Sequence, residues 1–285
     1  MKKRLIYMVI ALLFVLSACG GNDETASGDT DSSNEQENEN REEQTEDNNQ
    51  ENKEEDTEEQ EEADEKEEIA AESEEPEYKI SEDWSVVPID DANEEVVLVT
   101  IDDAPDEHAL EMAETLDEMD ADAIFFVNGH FLETTEEEEM LNEIHDMGFA
   151  IGNHTYSHAT LPELSEEEQK EEIVSLNDRV EEIIGERPSF FRAPHGANTD
   201  YSTQVVEDEG MTVMNWSYGY DWDEQYMDKD ALADIMVNTE FLGNGSNLLM
   251  HDREWTAAAL SDIVNGLRDK GFEPVDPDLI QKQSE

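Results

Sequence analysis

The sequence predicts an α/β fold: a parallel (β/α) barrel, distorted or incomplete, preceded by a disordered acidic spacer. Three observations lead there. From Val96 onward, short apolar runs alternate with amphipathic stretches, the pattern of repeated strand and helix units. Six such steps without an internal repeat favour a barrel, although the same periodicity also fits a doubly wound sheet. Between Gly21 and Pro76, by contrast, large apolar residues almost vanish.

Residues 1–18 read as a lipoprotein signal peptide. Lys2, Lys3 and Arg4 form a basic start, and Leu5 to Leu16 is an apolar run too short to span a membrane as a mature helix. Leu16-Ser17-Ala18-Cys19-Gly20 then resembles the bacterial signals in which cleavage precedes a cysteine that receives lipid, here Cys19. The expected location is extracytoplasmic, anchored to the outer face of the bacterial cell membrane. Residues 19–77 are the lipidated cysteine and an acidic spacer that cannot bury enough surface to offset the entropy of ordering. Self-repulsion extends it, and about 55 residues at about 3.3 Å each reach on the order of 180 Å.

Residues 78–285 hold ample aliphatic side chains for one domain. The whole chain has 79 acidic against 16 basic side chains and a formal charge of -63. That balance repels phosphates and argues against nucleic acid as a partner. Adaptation to high salt or to alkaline surroundings explains the acidity. Cys19 is the single cysteine, so a metal in the folded part must be held by His, Asp or Glu. The protein is expected to be a monomer.

The expected strands are Val96 to Ile101, Ala123 to Val127, Phe149 to Gly152, Ser189 to Arg192, Thr212 to Trp216 and Asn247 to Met250. Between the first two, Ala109, Met112, Ala113, Leu116 and Met119 share one helical face. The Glu runs at 136–139 and 166–168 are solvated helix starts, favoured by the helix dipole. Ser165 with Glu168 reads as a capping box whose helix stops near Gly185, and a last helix from Trp255 to Lys270 ends at Gly271.

Polar residues cluster where these strands end: Asp102 and Asp103, His154, Arg192, then His251 and Asp252. The C-terminal strand ends of parallel α/β folds converge on one mouth, where sites are built. His154 and His158, four apart, can point the same way on a helical turn, and Asp103 completes a three-ligand site for a divalent metal, with zinc expected. Asp102, pointing the other way if strand alternation continues, would take a proton from water. His108, His130 and His145 lie in or beside charged helical stretches and are read as structural.

Five ordered segments carry a resemblance: Thr100-Ile101-Asp102-Asp103-Ala104-Pro105, His154-Thr155-Tyr156-Ser157-His158, Arg192-Ala193-Pro194-His195-Gly196, Asp221-Trp222 and Leu249-Met250-His251. From Val96 to Phe272 the chain resembles the polysaccharide deacetylase (NodB-homology) family, carbohydrate esterase family 4. The resemblance implies a distorted barrel and metal-dependent removal of acetyl groups from glycans. It implies Asp102 as base, Asp103, His154 and His158 as metal ligands, and Arg192 as the residue orienting the base. It further implies His251 as general acid, Asp221 as the residue tuning that acid, and Trp222 and His195 at the substrate pocket, with a backbone N–H near His195 holding the oxyanion. Ile101, Ala104, Ala193 and His195 depart from the family's usual phenylalanine, glycine, proline and tyrosine or phenylalanine. The segment Trp216-Ser217-Tyr218-Gly219-Tyr220 also lacks acidic residues often found before the fourth motif.

The expected activity is hydrolysis of N-acetyl groups on a cell-surface polysaccharide, with peptidoglycan N-acetylglucosamine as the leading substrate. A tethered enzyme of that reach would sample the wall above it. An O-deacetylase or exopolysaccharide deacetylase, and a non-catalytic glycan-binding lipoprotein, are the alternatives.

Overall fold

The structure, a computed structural model, describes residues 75–282. The signal segment, Cys19 and the spacer up to residue 74 lie outside the described residues. By Glu77 the chain is already tied into the domain: its N–H donates to the Leu279 carbonyl at 2.9 Å and its carbonyl accepts from Ile89 at 2.6 Å.

A hairpin of β1 (Tyr78–Ile80) and β2 (Val86–Pro88) precedes the main sheet. That sheet comprises β3 (Val96–Ala104), β4 (Ile124–Val127), β5 (Ala150–Asn153), β6 (Phe190–Phe191), β7 (Thr212–Val213), β8 (Ser246–His251) and β9 (Glu273–Pro274). Its order is β7-β6-β5-β4-β3-β8, with β9 also on β3, and every pairing within it is parallel. Beyond β7 an irregular segment reaches β8, where Ser217 N–H donates to Asn247 at 2.8 Å and Leu249 N–H to Tyr218 at 2.9 Å. This is the distorted, incomplete barrel expected from the alternating pattern. The hairpin and β9 were not foreseen, because segments of two or three residues are too short to carry a period.

Side-chain alternation divides each strand between two apolar layers. Val96, Leu98, Ile124, Phe126, Phe190 and Met214 fill the barrel interior with the hairpin's Tyr78 and Val86. Val97, Val99, Ile101, Phe125 and Val127 face outward onto helices. Those are α1 (Ala109–Glu118), α2 (Thr135–Asp146), α3 (Glu166–Ile184), α4 (Asp200–Asp208), α5 (Lys229–Asn238) and α6 (Glu254–Asp269). Met112 and Leu116 of α1 and Ile263 and Leu267 of α6 are fully buried there. Each such side chain contributes about 1.5–3 kcal/mol of burial.

The expected helix punctuation holds. Ser165 and Glu168 form the capping box of α3, and Gly185 ends that helix in the left-handed region at φ 85°. α2 opens on Thr134 with a second box to Glu137, a Thr-x-x-Glu signal equally legible in the sequence. Among the described residues, no helix is long and apolar enough to cross a membrane.

Candidate active site

The inward-facing row of β3 is apolar at Val96 and Leu98 but polar at Thr100 and Asp102, so the barrel interior changes character toward its C-terminal mouth. There a cleft of about 550 Å³ is lined by Asp102, Asp103, His154, His158, His195, Trp216, Asp221, Trp222, His251, Arg253 and Trp255, among others. Nearly all the residues singled out from the sequence thus share one cavity. Arg192 lies buried behind it; Cys19 is outside the described residues. His108, His130 and His145 do not line it, and His145 instead pairs with Glu186 on the surface.

Asp102 and Asp103 do not alternate as a regular strand requires. Asp103 takes a left-handed backbone at φ 60°, and the β3–β4 register shifts between Ile101 and Ala104. The kink turns both carboxylates into the cleft, which corrects the expectation that they point apart. Nor do His154 and His158 sit on a helical turn. They occupy the irregular loop after β5, with Thr155 at φ 68° and His158 at φ 58°. Side-chain amides replace helical hydrogen bonds in holding this loop. Asn128 donates to the carbonyls of His154 at 2.7 Å and Thr155 at 3.1 Å, and Asn153 accepts from Thr155 N–H at 2.9 Å. Backbone strain of this kind persists where the surroundings over-determine it.

Asp103 Oδ1 lies 3.5 Å from His158 Nε2 and 3.9 Å from His154 Nε2, and one donor atom from each residue falls within 4.8 Å of the others. The donor chemistry fits a divalent ion. His154 Nδ1 is 2.6 Å from the Arg192 carbonyl, which can only accept, so Nδ1 carries the proton and Nε2 offers a lone pair. Burial pushes the His154 imidazole below its ordinary pKa despite Asp102 and Asp103, and burial with His154 does the same to His158. Both lean toward the neutral form a metal needs. Burial works to raise the Asp103 carboxyl, but His251, His154, His158 and Arg253 outweigh it and hold the group below the usual range.

Asp102 is held from behind. Arg192, fully buried, donates through Nη1 to Asp102 Oδ1 and to Thr100 Oγ1, both at 2.7 Å. Its Nη2 donates to the Asn215 carbonyl at 2.8 Å and to Asn247 Oδ1 at 3.2 Å, and the guanidinium sits 4.3 Å from the centre of the Phe126 ring. Such a cation is tolerable inside a barrel because both Nη groups meet acceptors, on β3, on β8 and in the segment after β7, while the buried Nε has no hydrogen-bond partner among the described residues.

His251 is register-paired with Asp102 across β3 and β8. Its Nδ1 is 2.8 Å from Asp221 Oδ1, and its own N–H donates to Asp221 Oδ2 at 2.6 Å. Asp221 is almost fully buried and also accepts from Thr256 Oγ1 at 2.9 Å. Burial disfavours the imidazolium, but the Asp221 hydrogen bond and charge, with Asp102 and Asp103, raise the His251 pKa above its ordinary value. Trp222, 49% exposed, stands edge-on to His251 at 5.6 Å, and His195 stands edge-on to His158 at 5.1 Å.

Two neighbours were assigned no role from the sequence: Asp252, noted there only as a polar residue at a strand end, and Arg253. The buried Asp252 carboxylate accepts from the N–H groups of Asp106 and His108 at 2.7 Å and of Ala109 at 2.9 Å, capping α1 from another strand. Arg253 donates to Asp103 Oδ2 at 2.7 Å. Both follow His251 directly, and that adjacency was the available signal.

In this cleft a three-donor cluster, an arginine-held carboxylate and a carboxylate-bound histidine stand together, the parts needed to activate water and protonate a leaving group. Comparison with known proteins agrees. Residues 90–214 match the family described as polysaccharide deacetylase. A peptidoglycan-N-acetylglucosamine deacetylase of Bacillus cereus is 29% identical over 204 residues, covering 68% of this chain and 71% of the relative. A chitooligosaccharide deacetylase of Azorhizobium caulinodans is 30% identical over 198 residues, covering 63% of this chain and 91% of the relative. Among solved structures, a family 4 carbohydrate esterase from Streptomyces lividans in complex with acetate aligns with a TM-score of 0.57 at 26% identity, covering 64% of this chain and 92% of that one.

Proposed function

The chain belongs to the polysaccharide deacetylase family and is a metal-dependent hydrolase of N-acetylated glycans, and from that premise we propose that it removes acetyl from the N-acetylglucosamine of peptidoglycan. The observation that carries the chemistry is the convergence of Asp102, Asp103, His154, His158 and His251 in one cleft. The substrate choice is supported by the name of the Bacillus cereus relative.

A divalent ion, which we take to be zinc, would be held by Asp103, His154 and His158 and would supply Lewis-acid chemistry, polarising the amide carbonyl and acidifying water. Asp102 takes the proton of the attacking water, and the Arg192 hydrogen bond holds that carboxylate aimed into the cleft. As negative charge grows on the carbonyl oxygen, a backbone N–H at His195 stabilises it. An amine leaves poorly unless protonated, and His251, kept cationic to higher pH by Asp221, delivers that proton. Trp222 presents an exposed aromatic face beside His251 against which the sugar packs.

We further propose residues 1–18 as a lipoprotein signal, Cys19 as the lipid-bearing residue and an extracytoplasmic site of action. Labelling with a fatty acid analogue tests this, and an unlabelled protein overturns it. The activity is tested by acetate release from N-acetylated peptidoglycan, N-acetylglucosamine oligomers and acetylated xylan, before chelation, after it, and after zinc is returned. Metal-dependent release from the first two is expected. Faster release from xylan overturns the substrate, and no release from a folded, metal-loaded chain favours a binding protein.

A further inference from the structure

Arg253 lies at the mouth of the cleft, two residues past His251 at the end of β8, and no step of the deacetylation uses it. Its Nη2 donates to Asp103 Oδ2 at 2.7 Å, while Nη1 donates to the Asp252 carbonyl at 2.6 Å and lies 3.9 Å from an Asp106 carboxylate oxygen. The other oxygen of Asp103, Oδ1, is the one facing His158 and His154. The two oxygens of this carboxylate are therefore divided between different partners. The guanidinium is itself anchored, because the residue it grips, Asp252, also binds the N–H groups that follow Asp103 along the chain.

We propose that Arg253 is a positioning residue of the metal site, holding Asp103 Oδ2 so that the carboxylate presents Oδ1 alone to an ion. The inference rests on the proposed metal site at Asp103, His154 and His158. Without a partner on Oδ2, the carboxylate is free to rotate or to chelate through both oxygens, which would use a coordination position that water or the substrate carbonyl needs. A charge-assisted bond from a fixed guanidinium removes that freedom. The cation also relieves repulsion among Asp102, Asp103 and Asp106, which crowd one end of β3. Lysine cannot reproduce this contact, since its ammonium is a point charge without the planar fork that joins Asp103 to the Asp252 carbonyl.

The test is a chelator-competition titration of the full chain with zinc alone, on the parent and on Arg253→Met, Arg253→Lys and Asp103→Ala. The Met variant should bind about ten- to a hundredfold more weakly than the parent, with Lys between them, as losses of a ligand's hydrogen-bond partner do elsewhere. The apo variants should melt with the parent, which separates positioning from loss of fold; should the Met variant fail to fold, Lys and Arg253→Gln carry the comparison. The visible spectrum of the cobalt-loaded Met variant, which reports coordination number, should differ from the parent's. Zinc affinity unchanged or tighter in a folded variant overturns the role of Arg253 and leaves the metal site standing. A parent that binds no ion, or an Asp103→Ala variant that binds as well as the parent, overturns both.

Discussion

Asp102 and Asp103 are adjacent in sequence yet belong to different partnerships, and that division governs what their replacement does. Asp103→Ala removes a donor from the metal cluster, so bound zinc and acetate release should be lost together, checked by metal analysis alongside turnover. Asp102→Asn leaves the three donors intact. Metal content should then persist while kcat falls by about 10²–10⁴, the usual worth of a positioned base, and a variant that loses its metal instead would reassign Asp102 to the ion. His251 makes a third case, in which pH carries the information. It must be protonated to act as an acid, and Asp221 helps keep it protonated above its ordinary pKa, so the alkaline limb of the parent's profile should lie above that value. Asp221→Asn removes the charge, lowers the His251 pKa and should move the alkaline limb of the kcat profile to lower pH. An unmoved limb would show that another group controls it.

At the scale of elements, helix ends and strand ends matter most. Gly185 closes α3 at φ 85° with open space around its Cα, so Gly185→Ala meets no clash and costs only the left-handed backbone, about 1 kcal/mol, read as a lower urea midpoint with unchanged activity. Asp252→Ala should behave differently. It strips the acceptor from the N–H groups of Asp106, His108 and Ala109, in the loop before α1 and at its start, for a loss on the order of 2–3 kcal/mol, and loosens the loop that follows Asp103, so stability and turnover should drop together. Stability lost with turnover intact would make Asp252 a cap and nothing more. The helices were legible because Ser165, Glu168 and Gly185 act within a few residues of one another. Asp252 was not assigned a role, because it caps a helix more than 140 positions earlier in the chain, and no local pattern reports such a partner.

For the whole molecule the dominating quantity is a formal charge of -63, which repels itself at low ionic strength. Salt screens that repulsion, the Debye length falling from about 10 Å at 0.1 M to about 3 Å at 1 M. The thermal midpoint of the full chain should therefore climb as sodium chloride is raised across that range, and a flat or falling midpoint would remove the high-salt explanation of the acidity. Charge is distributed unevenly around the cleft: Arg253 and the histidines lie at its mouth, whereas Arg179 and Arg187 are committed to carboxylates elsewhere on the surface.

By itself the sequence determined the parallel α/β class and the helix punctuation, and it picked out most of the polar residues that line the cleft. These follow from short-range periodicity and from motifs whose members lie within a few positions of each other. Only the tertiary structure decided how those residues meet. The left-handed turns at Asp103, Thr155 and His158 swing side chains into the cleft that regular strand or helix geometry would have sent elsewhere. The loop at Thr155 and His158 is stable because Asn128, remote in sequence, and the neighbouring Asn153 supply hydrogen bonds that the irregular backbone forgoes, while the remote Arg192 carbonyl fixes the His154 ring. Asp221 makes the same point: its motif was thin in the sequence, yet burial beneath His251 and bonds from Thr256 and the His251 backbone give it one orientation. Which side chains a strained loop can aim depends on what packs against it, and that information exists only once the chain has closed into its barrel.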